Sequence, residues 1–182
     1  MAEMYFLSDN HFHHASMLRF RDGFTDVEDM NEQMIAKWNS VISKNDFVYY
    51  LGDFSFGKKS DIIETLDRLN GKIYYILGNH DKLIRKKKDI QKRFEWVKDY
   101  HRLKFEKQDI ILSHYCFHVW DKHHFGSWHL YGHSHGNIID DSNRKRMDIG
   151  ADTNNFYPYT YEEIRRIMEE RKFVAFDHHL EK

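Results

Sequence analysis

The stretch LGNHD at residues 77–81 constrains the fold of this chain more than any other. It directly follows residues 72–76, whose run of β-branched and aromatic side chains predicts a buried strand. Gly78 is expected to end that strand, because a turn there favours a residue with free φ. The amide, imidazole and carboxylate that come next can ligate a metal ion, move a proton or orient a neighbouring ring. An ordinary strand-to-helix turn, in which Asn and Asp are common, is the alternative interpretation.

Apolar periodicity predicts a single α/β domain over residues 1–182, in which strands and helices alternate through the first half. The second half is less regular, and residues 177–182 are expected to fray. Predicted strands cover residues 4–7, 47–51, 72–77, 96–105, 110–113, 128–131, 147–150 and 173–176, and predicted helices cover residues 25–42, 62–69, 82–93 and 160–168.

Two of these helices begin with the sequence pattern of a capping box. Thr25 with Glu28, and Thr160 with Glu163, place an acceptor side chain three residues before a glutamate. Gly71 stands where a glycine commonly ends a helix, after residues 62–69.

Composition limits the partners that this chain is expected to have. The 182 residues carry a net charge of -1, which provides no global attraction to nucleic acid or to an anionic membrane. One basic run at residues 85–88 is a local exception, and a solvated helix face is its expected explanation. The oligomeric state is not determined by these features.

Cysteine usage and the first residues favour a cytoplasmic protein. Cys116 is the only cysteine, so no disulfide within the chain is expected and a reducing compartment is plausible. Glu3 stands where a signal peptide would carry a basic region, and no apolar run approaches the length of a membrane span.

Metal-binding side chains follow five of the predicted strands at the point where each strand ends. In open α/β sheets, ligand sites gather beyond the carboxyl ends of the strands, so residues distant in sequence can meet there. Each position alone has an ordinary explanation as a turn residue or a satisfied core histidine, but all five together favour one site. The residues concerned are Asp9 with His11, Asp53, Asn79 with His80, His114, and His133 with His135.

Seven of these side chains are candidate metal ligands, and all seven offer oxygen or nitrogen. Seven donors exceed one tetrahedral zinc site and suit two divalent ions that share a bridging carboxylate. The absence of thiolates argues against structural zinc. Mixed carboxylate and imidazole ligands favour transition metals over calcium or magnesium, and manganese is the first choice, with iron, zinc and nickel as alternatives. The seven are Asp9, His11, Asp53, Asn79, His114, His133 and His135.

The ordered series DNH at 9–11, GD at 52–53, GNHD at 78–81, His114 and GHSH at 132–135 resembles the calcineurin-like metallophosphoesterase superfamily. The resemblance implies two stacked mixed β-sheets flanked by helices, and a bridging hydroxide that attacks phosphorus. It implies that His80 is not a ligand but faces the leaving group, with its ring held by Asp81. By the same resemblance one ion is held by Asp9, His11, Asp53 and His135, and the other by Asp53, Asn79, His114 and His133.

The chain departs from that family in one visible position and in length. Many members carry a second acid three residues after the bridging aspartate, where this chain has Phe56. A chain this short leaves little length for a capping domain, which favours an open cleft that accepts small phosphoesters. We expect the substrates to be phosphodiesters rather than phosphomonoesters. A nuclease, disfavoured by a missing basic surface and missing accessory domains, and a catalytically silent binding scaffold are the alternatives.

Several further histidines have no assigned role. Solvent exposure or a satisfied place in the core is the expected fate of each, although some could line the cleft. Cys116 and Trp120 follow His114 closely and are expected to shape the wall of the pocket rather than to take part in catalysis. These histidines are His13, His14, His118, His123, His124 and His129.

Overall fold

The computed structural model describes residues 2–139 and 143–175 and contains two mixed β-sheets flanked by helices. In the first sheet, strands β1 (Met4–Leu7), β2 (Phe47–Tyr50), β3 (Lys72–Ile76) and β4 (Trp96–Lys98) are parallel neighbours in that order. Strand β9 (Tyr159–Thr160) pairs antiparallel with β1 at the other edge. The predicted two-sheet α/β class is therefore confirmed.

The second sheet has four strands. Strand β5 (Tyr100–Phe105) pairs antiparallel with β6 (Gln108–Ser113), and β6, β7 (Trp128–Tyr131) and β8 (Arg146–Asp148) are parallel. The α-helices are α1 (Val27–Val41), α2 (Lys59–Arg68), α3 (Lys82–Lys86), α4 (Lys88–Gln91) and α5 (Tyr161–Glu170).

Both faces of the first sheet are buried, which explains why its strands read as continuous apolar runs. Successive side chains of a strand point to opposite faces. Tyr5 and Leu7 therefore pack in the core beneath α1 and α2, whereas Phe6 packs in a second core together with residues of the other sheet and of α5. Each parallel strand thus delivers its carboxyl end to the same edge, flanked by apolar layers.

The starts of two helices test the predicted capping boxes. At α5, the amide of Glu163 donates to Oγ1 of Thr160 at 3.2 Å and the amide of Thr160 donates to Oε2 of Glu163 at 2.8 Å, which confirms that box. At α1, the cap is Asp26 rather than Thr25, with its carboxylate accepting from the amide of Asp29. A carboxylate in the cap also interacts favourably with the positive end of the helix dipole.

The predicted helix over residues 82–93 is wrong in one respect, since it is broken into α3 and α4 at Lys87. Ile84 and Ile90 are both fully buried. Six residues of a continuous helix would place these two side chains about 120° apart around the axis. The break at Lys87, with φ -108° and ψ 105°, allows both to reach the core.

Three further predictions are corrected by the structure. The irregular stretch at 96–105 is two strands, β4 and β5, and these belong to different sheets. Residues 173–175 are not in a strand, and residues 176–182 lie outside the described part of the chain. The helix before Gly71 ends at Arg68 and its C-cap is Leu69, so Gly71, with φ +96°, lies in the connection to β3 and is not the cap. The two-residue strand β9 was not predicted.

No helix in the described ranges has the length and apolar character that crossing a bilayer requires.

Candidate metal centre

The carboxyl ends of β1, β2, β3, β6 and β7 bring all seven predicted ligands to one edge of the fold. Two groups of side chains are closely spaced there, and within each group the candidate ligand atoms all lie within 4.8 Å of one another. The first group is Asp9, His11 and His135, and the second is Asp53, His114 and His133.

Asp53 joins the two groups. Its Oδ2 lies 3.8 Å from Nε2 of His11 in the first group and 3.6 Å from Nε2 of His114 in the second. Its Oδ1 is fixed by the backbone amide of His80 at 2.9 Å. The two distances show that Oδ2 faces both imidazoles, and the side chain of Asp53 is only 2% exposed. This position is the one that a ligand shared by two cations would occupy.

Unpartnered buried atoms provide a test of whether the site fits cations. Among the described residues, Oδ1 of Asp9 and both ring nitrogens of His11 are buried without a hydrogen-bond partner. Leaving such groups unsatisfied costs about 1–3 kcal/mol each, and native proteins rarely do so without a functional reason. Since Oδ1 of Asp9 lies 3.7 Å from Nε2 of His11, one cation between them would satisfy both atoms. The residues present therefore fit a metal ion.

Asp9 is held as an acceptor by the other oxygen of its carboxylate. Oδ2 accepts hydrogen bonds from Oγ of Ser8 at 2.6 Å and from the amide of His133 at 2.9 Å. Burial acts to raise the pKa of Asp9, but the hydrogen bonds and the nearby imidazoles outweigh it, and the pKa lies below the ordinary value. Asp9 is therefore an anion with one free oxygen directed into the site.

The tautomer of His114 leaves a lone pair facing the second group. Its Nδ1 lies 2.7 Å from the carbonyl oxygen of Leu51, which can only accept, so Nδ1 carries the proton. In the neutral ring, Nε2 then presents a lone pair at 2.9 Å from Oδ1 of Asn79. With the amide oxygen of Asn79 facing this lone pair, a cation between the two atoms would satisfy both.

His135 is oriented by two residues that the sequence analysis missed. Its Nδ1 lies 2.6 Å from Oδ2 of Asp152, and Arg21 donates to both oxygens of that carboxylate at 2.7 and 2.8 Å. The hydrogen bond with Asp152 raises the pKa of His135. Burial acts to raise the pKa of Asp152, but His135 and Arg21 outweigh it and lower the pKa to about 2. A carboxylate that fixes a metal-binding imidazole is a common device.

Arg21 also anchors the loop after β1. Its guanidinium, buried to 4% exposure, donates to the carbonyl oxygens of Asp9 and Asn10 at 2.7 Å each. One side chain thus connects the loop that carries Asp9 with the segment that carries Asp152. Asp152 comes shortly after strand β8, just as the predicted ligands come shortly after their strands, so the sequence offered a signal for it. Nothing in the sequence around Arg21 indicated a role in the site.

Five of the seven predicted ligands adopt left-handed backbone conformations. Such conformations are uncommon outside glycine, cost about 1–3 kcal/mol each, and cluster at functional sites. Hydrogen bonds between the loops hold them, for example from the amide of His11 to the carbonyl of Asp53 at 3.1 Å. Their φ angles are 59° at Asp9, 52° at His11, 57° at Asp53, 67° at His133 and 48° at His135.

Gly78 is required for a steric reason rather than for the predicted freedom in φ. Its φ does not lie in the left-handed region, but a Cβ atom added to it would overlap the carboxylate of Asp53. A Cβ atom added to Gly132 would likewise overlap the carboxylate of Asp9. The two glycines allow the backbone to approach the carboxylates from behind and so leave the opposite side open.

The contacts of Asp81 differ from its predicted role as the partner of His80. Its carboxylate accepts hydrogen bonds from the amides of Gly78 at 2.6 Å, Asp53 at 2.9 Å and Phe54 at 3.2 Å. Burial raises its pKa above the ordinary value. Asp81 therefore ties two ligand-bearing turns together, because its short side chain points back into the protein.

His80 lies beside the two groups with its ring partly in solvent. Its side chain is 45% exposed, and Nε2 is 3.9 Å from Oδ2 of Asp53. The ring packs against Phe56, with centroids 4.6 Å apart, so this aromatic residue supports it from one side. The arrangement leaves His80 free to face a bound molecule.

The remaining histidines contact neighbouring residues, although Nδ1 of His14 is buried without a hydrogen-bond partner among the described residues. His13 lies within hydrogen-bond distance of Asn31 and of Thr65, and His129 is fully buried between the carbonyl of Ile111 and the amide of Phe117. The other four contact neighbouring side chains: His14 stacks on Phe56, His118 contacts Arg144, His123 packs on Trp120, and His124 packs on Phe125.

Trp120 donates through its ring nitrogen to Ser127, and Cys116 is partly buried. Neither residue belongs to the two closely spaced groups of candidate ligands.

Replacing Asp152 by asparagine is expected to weaken metal binding by Asp9, His11 and His135 about 10–100-fold, the usual effect of losing such a supporting carboxylate. The group around His114 should be affected less, so calorimetric titration with manganese should resolve one weakened site. Asp22→Asn, an exposed neighbour of Arg21, serves as the control. Equal affinity at both sites in Asp152→Asn would contradict the role of this carboxylate.

Acid is expected to destabilise the protein through His129. Burial lowers its pKa from 6.5 to about 4 in the folded state, so between these values only the unfolded chain binds the proton. The stabilisation is complete above pH 6.5 and is lost progressively as the pH falls towards 4, by at most about 1.36 kcal/mol per pH unit. His129→Gln keeps a donor and an acceptor without this titration. Urea unfolding of the metal-free proteins should therefore show a shallower pH dependence for the variant, and identical slopes would refute the assignment.

The fold and the site define a two-sheet α/β protein with two candidate metal-binding groups at one sheet edge. No protein-family model matches the chain. Its sequence is 32% identical to the uncharacterized protein MJ1445 of Methanocaldococcus jannaschii over 182 residues, which cover 96% of each protein, and the chain belongs to the same family as that protein. It is 28% identical to the Gene 66 protein of Mycobacterium phage L5, over 84% of this chain and 87% of the phage protein.

Solved structures provide a comparison of the fold. The protein of unknown function AQ665 from Aquifex aeolicus superposes with a TM-score of 0.72 over 92% of this chain and 100% of that chain, at 23% identity. This similarity supports the fold alone. Yfce, a phosphoesterase from E. coli, superposes with a TM-score of 0.43 at 17% identity over 81% of this chain and 78% of that chain, too low to support a conclusion about activity.

Proposed function

We propose that this protein is a metal-dependent phosphoesterase that hydrolyses small phosphodiesters in preference to phosphomonoesters. The observation that supports this most strongly is the position of Asp53, whose Oδ2 faces an imidazole of each group at 3.6 and 3.8 Å. A shared carboxylate between two sets of oxygen and nitrogen ligands suits two ions about 3.5–4 Å apart.

In this proposal the seven ligands divide into two sets that share Asp53. When bound, the ion pair would lower the pKa of a water molecule and offset charge on the phosphoryl oxygens. One ion would be held by Asp9, His11, Asp53 and His135, and the other by Asp53, Asn79, His114 and His133, with manganese as the first choice of metal.

The chain's own contribution to the reaction is made by His80. A phosphodiester leaves an alkoxide, which is a poor leaving group unless it receives a proton. Nε2 of His80 is near the shared carboxylate and is accessible, so the ring can donate a proton to an oxygen held there. Phe56 supports the ring, and Asp81 holds the turns that carry Asp53 and Gly78.

A hydrolysis screen with metal analysis tests this function. Protein loaded with manganese and desalted should contain close to two ions per chain and should hydrolyse linear diesters or cyclic nucleotides faster than monoesters. Activity should rise with pH as a metal-bound water loses its proton. Calcium should activate poorly, because imidazole ligands suit transition metals.

Two results would refute the proposal. A plateau at one ion with no second binding event would contradict the two-ion site. Two bound ions without hydrolysis of any ester in the screen would instead favour the silent binding scaffold.

A further inference from the structure

We propose that the leaving-group side of this site binds a single-stranded nucleic acid, with one base on Phe56 and the adjoining phosphates on the lysines of α3 and α4. The inference rests on the proposed function for its chemistry and extends it from His80 and Phe56 to the lysines of α3 and α4. Three observations carry it: a recess beside His80, an exposed aromatic ring in that recess, and a concentration of unpaired lysines that begins at its rim.

The recess opens directly from the catalytic side of the site. It encloses about 280 Å³, close to the lower end of the range for small-ligand pockets. His80, Phe56 and Lys82 line it, together with the apolar side chains of Ile62 and Ile84. A group leaving from phosphorus with a proton from His80 would depart into this space.

Phe56 presents part of its aromatic side chain to the recess. The residue is 40% exposed, although its ring stacks on His14 with centroids 3.6 Å apart and also packs against His80. Aromatic rings that are fixed in place but accessible are the usual platforms for stacking unpaired bases. Phe56 also contacts His80, so a base stacked there would lie next to the group that protonates its sugar oxygen.

The charge of the chain is distributed very unevenly around this recess. Residues 81–93 contain seven basic and two acidic side chains, a net charge of +5, whereas the other 169 residues carry -6. The overall charge of -1 therefore conceals a local basic surface. The sequence-based argument against a nuclease rested on a missing basic surface and on missing accessory domains, and the basic segment that begins two residues after His80 removes the first of these reasons.

Within the described part of the chain, most of these charges have no acidic partner. Arg85 pairs with Asp99 and Arg93 with Asp67. No carboxylate of residues 2–139 or 143–175 forms an ion pair with the exposed amines of the segment, which are those of Lys82, Lys86, Lys87, Lys88 and Lys92. Lysines left unpaired on a surface are available for phosphate groups.

The geometry favours a strand over a single nucleotide or a folded duplex. Lys82 and Lys86 are four residues apart on α3 and lie on the same side of it, about 6 Å apart along the axis. Lys86, Lys87, Lys88 and Lys92 follow Lys82 along the segment and do not line the recess, so most of this charge lies outside it. A recess that accepts one base, next to a series of positive charges, is typical of proteins that bind single strands.

Binding of a fluorescein-labelled twelve-nucleotide thymidine strand, followed by anisotropy in EDTA, tests the proposal apart from hydrolysis. Lys86→Glu combined with Lys88→Glu should weaken binding at least about tenfold. It should also lower the slope of log affinity against log salt by about 1.4, since each lost phosphate contact contributes about 0.7. Lys44→Glu with Lys72→Glu, two exposed lysines at the opposite edge of the first sheet, should change affinity less than about twofold.

The aromatic part of the proposal has its own measurement. Phe56→Leu should weaken the thymidine strand roughly five- to hundredfold, as expected for the loss of one stacked base. A strand of the same length without bases should bind the wild type and Phe56→Leu equally, which separates stacking from misfolding. Equal affinity of the wild type for both strands would overturn the assignment of Phe56.

The remaining outcomes distinguish this inference from the proposed function. Equal losses in the two double-lysine variants, or binding to phosphatidylserine vesicles without binding to the strand, would overturn the nucleic-acid surface. Hydrolysis of a nitrophenyl diester without strand binding would refute the inference and leave the phosphoesterase proposal intact. Binding of the strand without hydrolysis of any ester in manganese would refute the phosphoesterase proposal and leave the nucleic-acid surface intact.

Discussion

Asp53→Asn is expected to abolish activity and to reduce metal content from two ions to one or none. The loss of a supporting carboxylate outside a metal site already costs about 10–100-fold, and a ligand shared by two ions should cost more, at least about 10³-fold in turnover. Asparagine keeps an oxygen for the amide of His80 and tolerates the left-handed φ of 57°. Metal analysis and diester hydrolysis on the same preparation provide the measurement.

The fold of this variant should be preserved, which makes the result interpretable. The negative charge of Asp53 acts to raise the pKa of buried Asp81, so its removal relieves repulsion in the metal-free protein. Asp26→Asn is the control, because this helix cap is exposed and asparagine caps equally well. Wild-type turnover in Asp53→Asn would show that the centre of the site lies elsewhere.

His80→Ala is expected to lower turnover on alkyl phosphodiesters about 10²–10⁴-fold, the usual contribution of a general acid, while both metal ions remain bound. A nitrophenolate departs without much help, so the variant should retain more of its activity on a nitrophenyl ester. The comparison of an alkyl and an aryl ester therefore isolates proton donation. Equal losses on the two esters, with two ions bound, would leave His80 with at most an electrostatic role.

Asp81→Asn provides a contrast with His80→Ala, because the two residues have different contacts. The carboxylate of Asp81 accepts from three backbone amides, at Gly78, Asp53 and Phe54. An asparagine NH₂ group would face at least one of these donors and disturb the turns that carry ligands. Metal content should therefore fall in Asp81→Asn, whereas it is maintained in His80→Ala.

The pattern of apolar residues was sufficient to predict most of the strands and the capping box at Thr160, whereas the two-sheet arrangement was implied by the family resemblance of the motifs. Strands buried on both faces leave a strong signal, because every side chain must be apolar until the strand ends. The same rule located the seven candidate ligands, since each is among the first polar side chains after such a run. Periodicity could not locate β9, whose two residues are too few to show a pattern, and it could not separate β4 from β5.

The network behind the candidate ligands was decided only by the tertiary structure. The approach of Arg21 to Asp152 joins residues 131 positions apart, and nothing local to either residue indicates the other. Asp81 was expected to hold the adjacent His80, but it bonds instead to amides that only the packing of two turns brings within reach.

The sequence by itself determined which chemical groups follow the strands, because strand length and burial are local consequences of the pattern of apolar residues. The tertiary structure decided which of these groups face one another and where the charge accumulates. Lys82 is close to His80 because it follows two residues later in the chain, but only the fold brings Phe56 to the same recess. Electrostatic interactions and hydrogen bonds act through space, so their partners are fixed when the loops pack.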